Sequence, residues 1–318
     1  MDGNLKTNPD WVLKLNDTEI SFAEYRHFYL NVKLDMGDDA YFAENPSAEE
    51  DLKTTVLSYI AEAHALNAIA EEHGIKLTKE EQNAVKDEIA ATKKEYGDEL
   101  YAQMLNDYFF TDEIYLMRAE NNALYEKTYE ALVGEGKKIY ISDEELITYL
   151  SENQICYAQI YVDFLSGEGT NVHTNTNAKV SSIVERLKNG EDFYKVAFDE
   201  SDDQTMIDYK NGYLTPKSKF EQTQKSASLK ALTALKEGEI SEPILESDGY
   251  YIYLRMPISD AVLSENRQYL LNGYEDANGN HVNGMYEDRF YSLIAEYAKG
   301  FNISYADCYS AISTETVF

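Results

Sequence analysis

A chain of 318 residues with 43% hydrophobic and 27% charged positions can build two modest domains or one large one, which excludes a disordered tail. Its charge is lopsided, with 28 Lys and Arg against 58 Asp and Glu and a formal net charge of -30. Such a surface repels phosphate backbones and anionic lipid heads, so it argues against nucleic acid and favours basic clients or counter-cations.

No apolar run reaches the roughly 18 to 20 residues that span a bilayer, so membrane contact would come only through an N-terminal anchor now removed. Residues 1–10 are polar and lack a signal-peptide core. They read as a flexible stub left when a leader or lipid anchor was trimmed, with a native start as the alternative. The two cysteines, Cys156 and Cys308, form no metal-spaced pair, and Cys156 reads as a small buried hydrophobe. The 27 tyrosines suit half-buried grooves that hold varied peptide, because each offers an apolar body with a polar tip.

In chain order, the alternation from Trp11 to Leu15, the turn pair Asn16 and Asp17, and then Glu19 and Ile20 predict a small hairpin. Ser21 with Glu24 is a capping box that opens a helix to about Met36, and Ser47 with Glu50 repeats the signature before a long helix. That helix carries Leu52, Val56, Ile60, Leu66 and Ile69 at spacings of three and four, and ends at His73 and Gly74. Thr78 with Glu81 starts a helix to about Gly97, a shorter one covers 99–108, and Thr111 opens another toward Gly134. Ser142 caps a last short helix before a strand at Ile155. His27, His64 and His73 lack the spacing of a helical metal site and read as structural, so neither metal nor cofactor is expected.

The strand from Ile155 to Val162 places Tyr157, Gln159 and Tyr161 on one face, and a strand at 249–255 places Tyr251, Tyr253 and Arg255 on one face. The opposite faces, with Ala158, Ile160, Val162 and Ile252, are apolar and should meet helices. Beyond Pro257, residues 270–282 read as a hairpin turning at Asn278 and Gly279. Asp276, Asn278, Asn280 and Glu287 also fall at calcium-loop positions, but His281 stands where such a loop needs glycine, so the hairpin is the favoured reading. A helix from Met285 to about Lys299 follows, with Phe290, Leu293, Ile294 and Tyr297 on one face. A concave apolar groove is expected between the N-terminal helices and this one.

The runs RLKNGEDF from Arg186, AFDESD from Ala197, NGYL from Asn211, LKEGEISEP from Leu235 and GYYIYL from Gly249 occur in this order over about a hundred residues. This succession resembles the parvulin family of peptidyl-prolyl isomerases. LKLNDTEIS from Leu13, HGI from His73 and LTKEE from Leu77 resemble the helical chaperone region of the extracytoplasmic parvulin foldases, the PrsA- and SurA-like group. The resemblance implies an α+β protein: a helical SurA-N-like chaperone lobe plus a parvulin-like (FKBP-like) small antiparallel sheet with surrounding helices. It implies an N-terminal lobe at 11–152, a parvulin-like domain at 153–258, and a segment at 259–318 whose hairpin and helix pack back on the lobe. It further implies an extracytoplasmic location and, as partners, unfolded or newly exported polypeptides.

Parvulins carry two histidines, a cysteine or aspartate beside the substrate carbonyl, and an apolar proline slot. Carried over by motif, the first histidine falls on Gln159, the aspartate on Asp203 and the second histidine on Tyr251, the three expected catalytic positions. Leu214, Leu229, Tyr157, Tyr161 and Tyr253 are the expected substrate contacts, and 215–226 departs from the family pattern. Gln159 is expected to hydrogen-bond Tyr251 where the histidines would meet. Turning an X-Pro bond needs no nucleophile or metal; a twisted amide, about 18 to 20 kcal/mol uphill for ordinary peptides, is stabilised by placed dipoles. Two functions stay open: a foldase that isomerises X-Pro bonds weakly, and a non-enzymatic peptide-binding chaperone on a degenerate parvulin platform. A calcium-binding surface protein, resting on 276–287 alone, is a remote third.

Overall fold

The computed structural model describes residues 10–164, 172–276 and 278–317. The expected stub, apart from Asp10, and the polar loop at 165–171 lie outside them. The protein is α+β, with helices and three small antiparallel sheets among the described residues. It packs as two compact units, Met1–Tyr140 with Tyr286–Phe318, and Ile141–Met285. The motifs divide the chain at 152/153 and 258/259 instead. The flanking segments fall in the second unit through contacts within it: the helix at Asp143–Asn153 packs on the strand after it, and Glu265 accepts from the Asn211 amide at 2.6 Å.

The first unit opens with β1 (Trp11–Leu15) and β2 (Thr18–Ser21), an antiparallel hairpin turning at Asn16, whose φ of 53° asparagine tolerates. Helix α1 (Phe22–Met36) starts where the Ser21 side chain accepts from the Glu24 amide at 3.1 Å. The return half of that capping box is not made, because Glu24 is buried and its carboxylate meets His64 Nε2 at 2.8 Å. After α2 (Asp39–Glu44), α3 (Ala48–Glu72) begins without a Ser47 side-chain cap; Glu49, Glu50 and Asp51 in its first turn complement the helix dipole instead. Helix α4 (Lys79–Asp107) has the full Thr78–Glu81 box and breaks at Gly97, where φ is 77° and ψ 162°. Helix α5 (Asp112–Leu132) follows. Leu13, Ile20, Tyr25, Tyr29, Leu52 and Ile60 sit in the core between hairpin, α1 and α3.

The second unit runs α6 (Asp143–Asn153), β3 (Gln154–Asp163), α7 (Val172–Lys188) and α8 (Phe193–Glu200). A 3-10 turn (Gln204–Asp208), β4 (Tyr213–Pro216), α9 (Lys217–Gln222) and α10 (Ser226–Ala234) follow. It ends with β5 (Ile244–Leu245), β6 (Gly249–Arg255), α11 (Asp260–Asn272), and the small hairpin β7 (Tyr274–Glu275) and β8 (His281–Val282). The main sheet has the antiparallel order β4-β3-β6-β5, with Gln159 opposite Tyr253 and Tyr161 opposite Tyr251. Gly249 starts β6 because a Cβ there would lie 2.3 Å from the Val162 carbonyl oxygen. Ala158, Ile160, Val162 and Ile252 form one face, buried with Ile183, Phe193 and Val196 of α7 and α8. In the small hairpin, Asp276 Oδ1 accepts from the amides of Asn278 and Asn280 at 2.8 and 2.9 Å, so this carboxylate organises its own turn.

The first unit is completed by α12 (Met285–Lys299) and β9 (Ile303–Tyr305). Strand β9 pairs with β1, setting Leu13 opposite Tyr305 in the order β2-β1-β9. Phe290 packs edge-on against Tyr125 and Tyr129 of α5, centroids 5.2 and 5.3 Å away. No described helix is long and apolar enough to cross a membrane.

Candidate functional site

The other face of the β4-β3-β6-β5 sheet lines an open pocket of about 560 Å³. Its floor is aromatic. Tyr157 lies edge-on to Tyr253 at 5.3 Å and against Phe220 of α9 at 5.7 Å, and all three are buried. Two polar networks flank that floor.

The first network is built by β3. Beyond Tyr157, the edge of β3 is free of β4, and the segment after α8 is stitched to it: Asp202 N donates to the Tyr161 carbonyl at 2.8 Å and Tyr161 N to Ser201 Oγ at 3.0 Å. This brings Asp203 against Gln159, whose amide donates to Asp203 Oδ2 at 2.7 Å. Tyr213 hydroxyl donates to the same oxygen at 3.0 Å, while Thr205 N and Oγ1 donate to Oδ1 at 3.1 and 2.7 Å. Burial pushes the Asp203 carboxyl up, but the hydrogen bonds from Thr205, Gln159 and Tyr213 outweigh it and hold the group below its ordinary value. Asp203 is therefore a carboxylate whose hydrogen bonds all come from uncharged donors. Burial, aided by the Asp203 charge, pushes Tyr213 up to about 12.

The second network stands on β6 and its preceding turn. Tyr251 hydroxyl donates to Asp248 Oδ2 at 2.8 Å, and Lys225 Nζ donates to Asp248 Oδ2 at 2.9 Å and to the Tyr251 oxygen. Lys225 also lies 4.3 Å from the Tyr251 ring centroid. Tyr161 stacks on Tyr251 at 4.7 Å and donates to the Asp248 carbonyl at 3.0 Å. Burial first, then Asp248, raises the Tyr251 hydroxyl far above its ordinary value, so it stays a donor at any physiological pH. Burial raises Asp248 too, but Lys225 and Tyr251 more than offset it and leave its carboxyl lowered.

Gln159, Asp203, Tyr251, Tyr157, Tyr161 and Tyr253 all line this pocket, whereas Leu214 and Leu229 do not. Leu214 pairs with Cys156 and so sits on the opposite face from Tyr157 and Tyr213, making Tyr213 and Thr215 the strand edge that lines the pocket. Leu229, on α10, packs against the cluster that includes the aromatic floor. The expected Gln159–Tyr251 hydrogen bond is also corrected. Register puts Gln159 opposite Tyr253 rather than Tyr251, and Gln159 donates to Asp203 while Tyr251 donates to Asp248. Sequence reasoning missed Phe220, Tyr213, Thr205, Lys225 and Asp248. Phe220 stands as the lone aromatic in the polar run 215–226, a signal for a buried contact. Nothing local to Lys225 announced its partner, which lies 23 residues on.

Residues 166–256 match the family model of the PPIC-type PPIASE domain, the rotamase family. The central module is thus a PPIC-type, parvulin-like PPIase domain. The chain that carries it is similar to the foldase protein PrsA of Clostridium kluyveri, 27% identical over 238 residues. That match covers 70% of this chain and 65% of the relative, just under two thirds of the relative's length. Among solved structures, PrsA from Bacillus subtilis covers 92% of this chain and 86% of its own at 17% identity and a TM-score of 0.27. Peptidylprolyl isomerase (PrsA) from Bacillus cereus covers the same shares at 16% identity and a TM-score of 0.30.

Proposed function

We propose that this chain is a parvulin-type foldase that holds unfolded or newly exported polypeptide outside the cytoplasm and turns X-Pro bonds only weakly. The observation that carries the reading is the pocket over Tyr157, Phe220 and Tyr253, an aromatic floor that can take an apolar ring, flanked by fixed dipoles. A proline there loses apolar area to the floor, while its amide lies between the Asp203 and Tyr251 networks. Weakness follows from the same geometry. Gln159, Asp203 and Tyr251 stand at the family's catalytic positions, yet Gln159 and Tyr251 already donate to carboxylates of the fold. A donor committed to an internal carboxylate must break that bond before it stabilises a twisted amide, and this raises the barrier it is meant to lower.

We read 11–152 with 259–318 as the chaperone lobe, and Tyr157, Tyr161 and Tyr253 as peptide contacts. The relationship to PrsA foldases supports both the polypeptide partner and the extracytoplasmic location. The test uses the full chain. Exchange spectroscopy on an X-Pro tetrapeptide should show a modest acceleration, lost in Phe220→Ala, and the chain should suppress aggregation of a reduced, unfolding client. Rates equal to buffer with suppression intact would leave a non-enzymatic chaperone. Loss of both would overturn the proposal.

A further inference from the structure

We propose that a second pocket, in the first unit beside Arg118, binds the C-terminal carboxylate of a polypeptide whose last residue is apolar or aromatic. This cavity of about 390 Å³ is bounded by α1, α3, α5 and α12, with Phe28, Tyr59, Tyr125 and Tyr291 among its walls. Its volume lies in the small-ligand range, roughly 300 to 1,000 Å³, enough for one or two residues.

Arg118 is the reason for a carboxylate. The half-buried guanidinium lies 5.1 Å from the Phe28 ring centroid and lines the pocket. Among the described residues it makes no hydrogen bond or ion pair. A guanidinium offers five N–H donors, and leaving charged donors half out of water without acceptors is costly. Burial accordingly lowers its proton affinity, against a small opposing pull from Glu24, whose carboxylate is hydrogen-bonded to His64. The chain carries 58 acidic residues, yet none among the described ones is paired to this arginine. Asn121 and Asn122 line the same pocket, and their side-chain amides likewise carry no hydrogen bond within the described fold.

The surroundings select which carboxylate fits. Glu62 also lines the cavity, with Oε1 accepting from Ser58 at 3.1 Å, so a densely acidic segment is repelled. The aromatic walls call for an apolar body beside the single anion. A terminal residue carries carboxylate and side chain on one Cα, so both arrive together. Its carboxylate has two oxygens, so the guanidinium and an asparagine amide can donate to the same terminus. An aspartate or glutamate within a chain instead brings its charge on the side chain itself and needs an exit for the backbone at both ends. Capture of a chain terminus by paired charge and amide donors is a known mode of peptide recognition. This site is independent of the X-Pro pocket and requires no isomerisation.

The test is fluorescence anisotropy on the full chain with three labelled hexapeptides. One ends in phenylalanine with a free carboxylate, the second is its C-terminal amide, and the third is amidated with glutamate before the phenylalanine. The free acid should bind at least tenfold more tightly than the amide, R118Q should abolish that ratio, and R118K should restore part of it. Tyr291→Ala, at the half-exposed rim, should weaken acid and amide alike and leave the ratio standing. Should R118Q fail to fold by circular dichroism, Asn122→Leu carries the test, with a reduced ratio expected. Equal binding of acid and amide, no binding of the acid, or a ratio that survives R118Q or Asn122→Leu overturns the proposal. Binding of the glutamate peptide as tight as the free acid also overturns it, in favour of an acidic side chain.

Discussion

The two faces of the β4-β3-β6-β5 sheet are built from the same strands on alternate residues, yet they are held by different physics. One buries Ala158, Ile160, Val162 and Ile252 under two helices. The other sets Tyr157, Gln159, Tyr161, Tyr251 and Tyr253 around an open pocket, where two carboxylates absorb the donors. The first face stabilises the module through aliphatic burial against helices; the second combines buried aromatic packing with hydrogen bonds that fix the orientation of its polar side chains. A strand can serve both because its side chains alternate.

Ile160→Ala is the strongest test of that contrast. Ile160 is fully buried, and its truncation should cost about 2–5 kcal/mol in a urea titration. Asp203→Ala should cost about 1–3 kcal/mol, since Gln159, Thr205 and Tyr213 would be left with donors short of an acceptor. Asp203→Asn, which keeps one acceptor oxygen, should cost less. A loss for Asp203→Ala as large as for Ile160→Ala would end the distinction between the faces.

Acid separates them further. Asp203 and Asp248 are both held below their ordinary values, so the folded state binds fewer protons than the unfolded one as acid is added. Their contribution is then complete above the unfolded carboxyl value, about 3.9, and is lost as pH falls through the folded values. Thermal melts from pH 6 to pH 2 should show a steeper acid decline for the natural chain than for the D203N/D248N double variant, while Ile160→Ala should shift the whole curve without changing its acid slope. Parallel curves for natural chain and double variant would contradict the assignment. The smallest effect belongs to Lys225→Met. Its ion pair with Asp248 is partly exposed, so stability should change by about 0–1 kcal/mol, with the Tyr251–Asp248 bond intact. An X-Pro peptide should nonetheless bind with altered affinity, because Lys225 lines the pocket.

Much of this was legible without coordinates, for local reasons. The hairpin at 11–21, the Thr78–Glu81 capping box, the break at Gly97 and the alternation of β3 and β6 depend on neighbours within a few residues. Local signals failed where a distant partner competed. Glu24 leaves its capping box for His64, 40 residues away, and Ser47 makes no cap at all. Leu214 matched a motif but lies on the wrong face, because β4 pairs in the register that puts it opposite Cys156.

Residue identity and short spacing carried the α+β expectation, the parvulin-like order of motifs, and the motif alignment that sets Gln159 and Tyr251 where parvulins have histidine. What Gln159 and Tyr251 bond to depends on packing across the fold. Strand register set them opposite different residues, and chain folding delivered Asp203, Asp248 and Lys225 to them from loops and a helix end. Hydrogen-bond partners are chosen by distance in space, and a donor with two nearby carboxylates takes the one that the packed backbone brings within 3 Å. The same packing left Arg118 without one among the described residues.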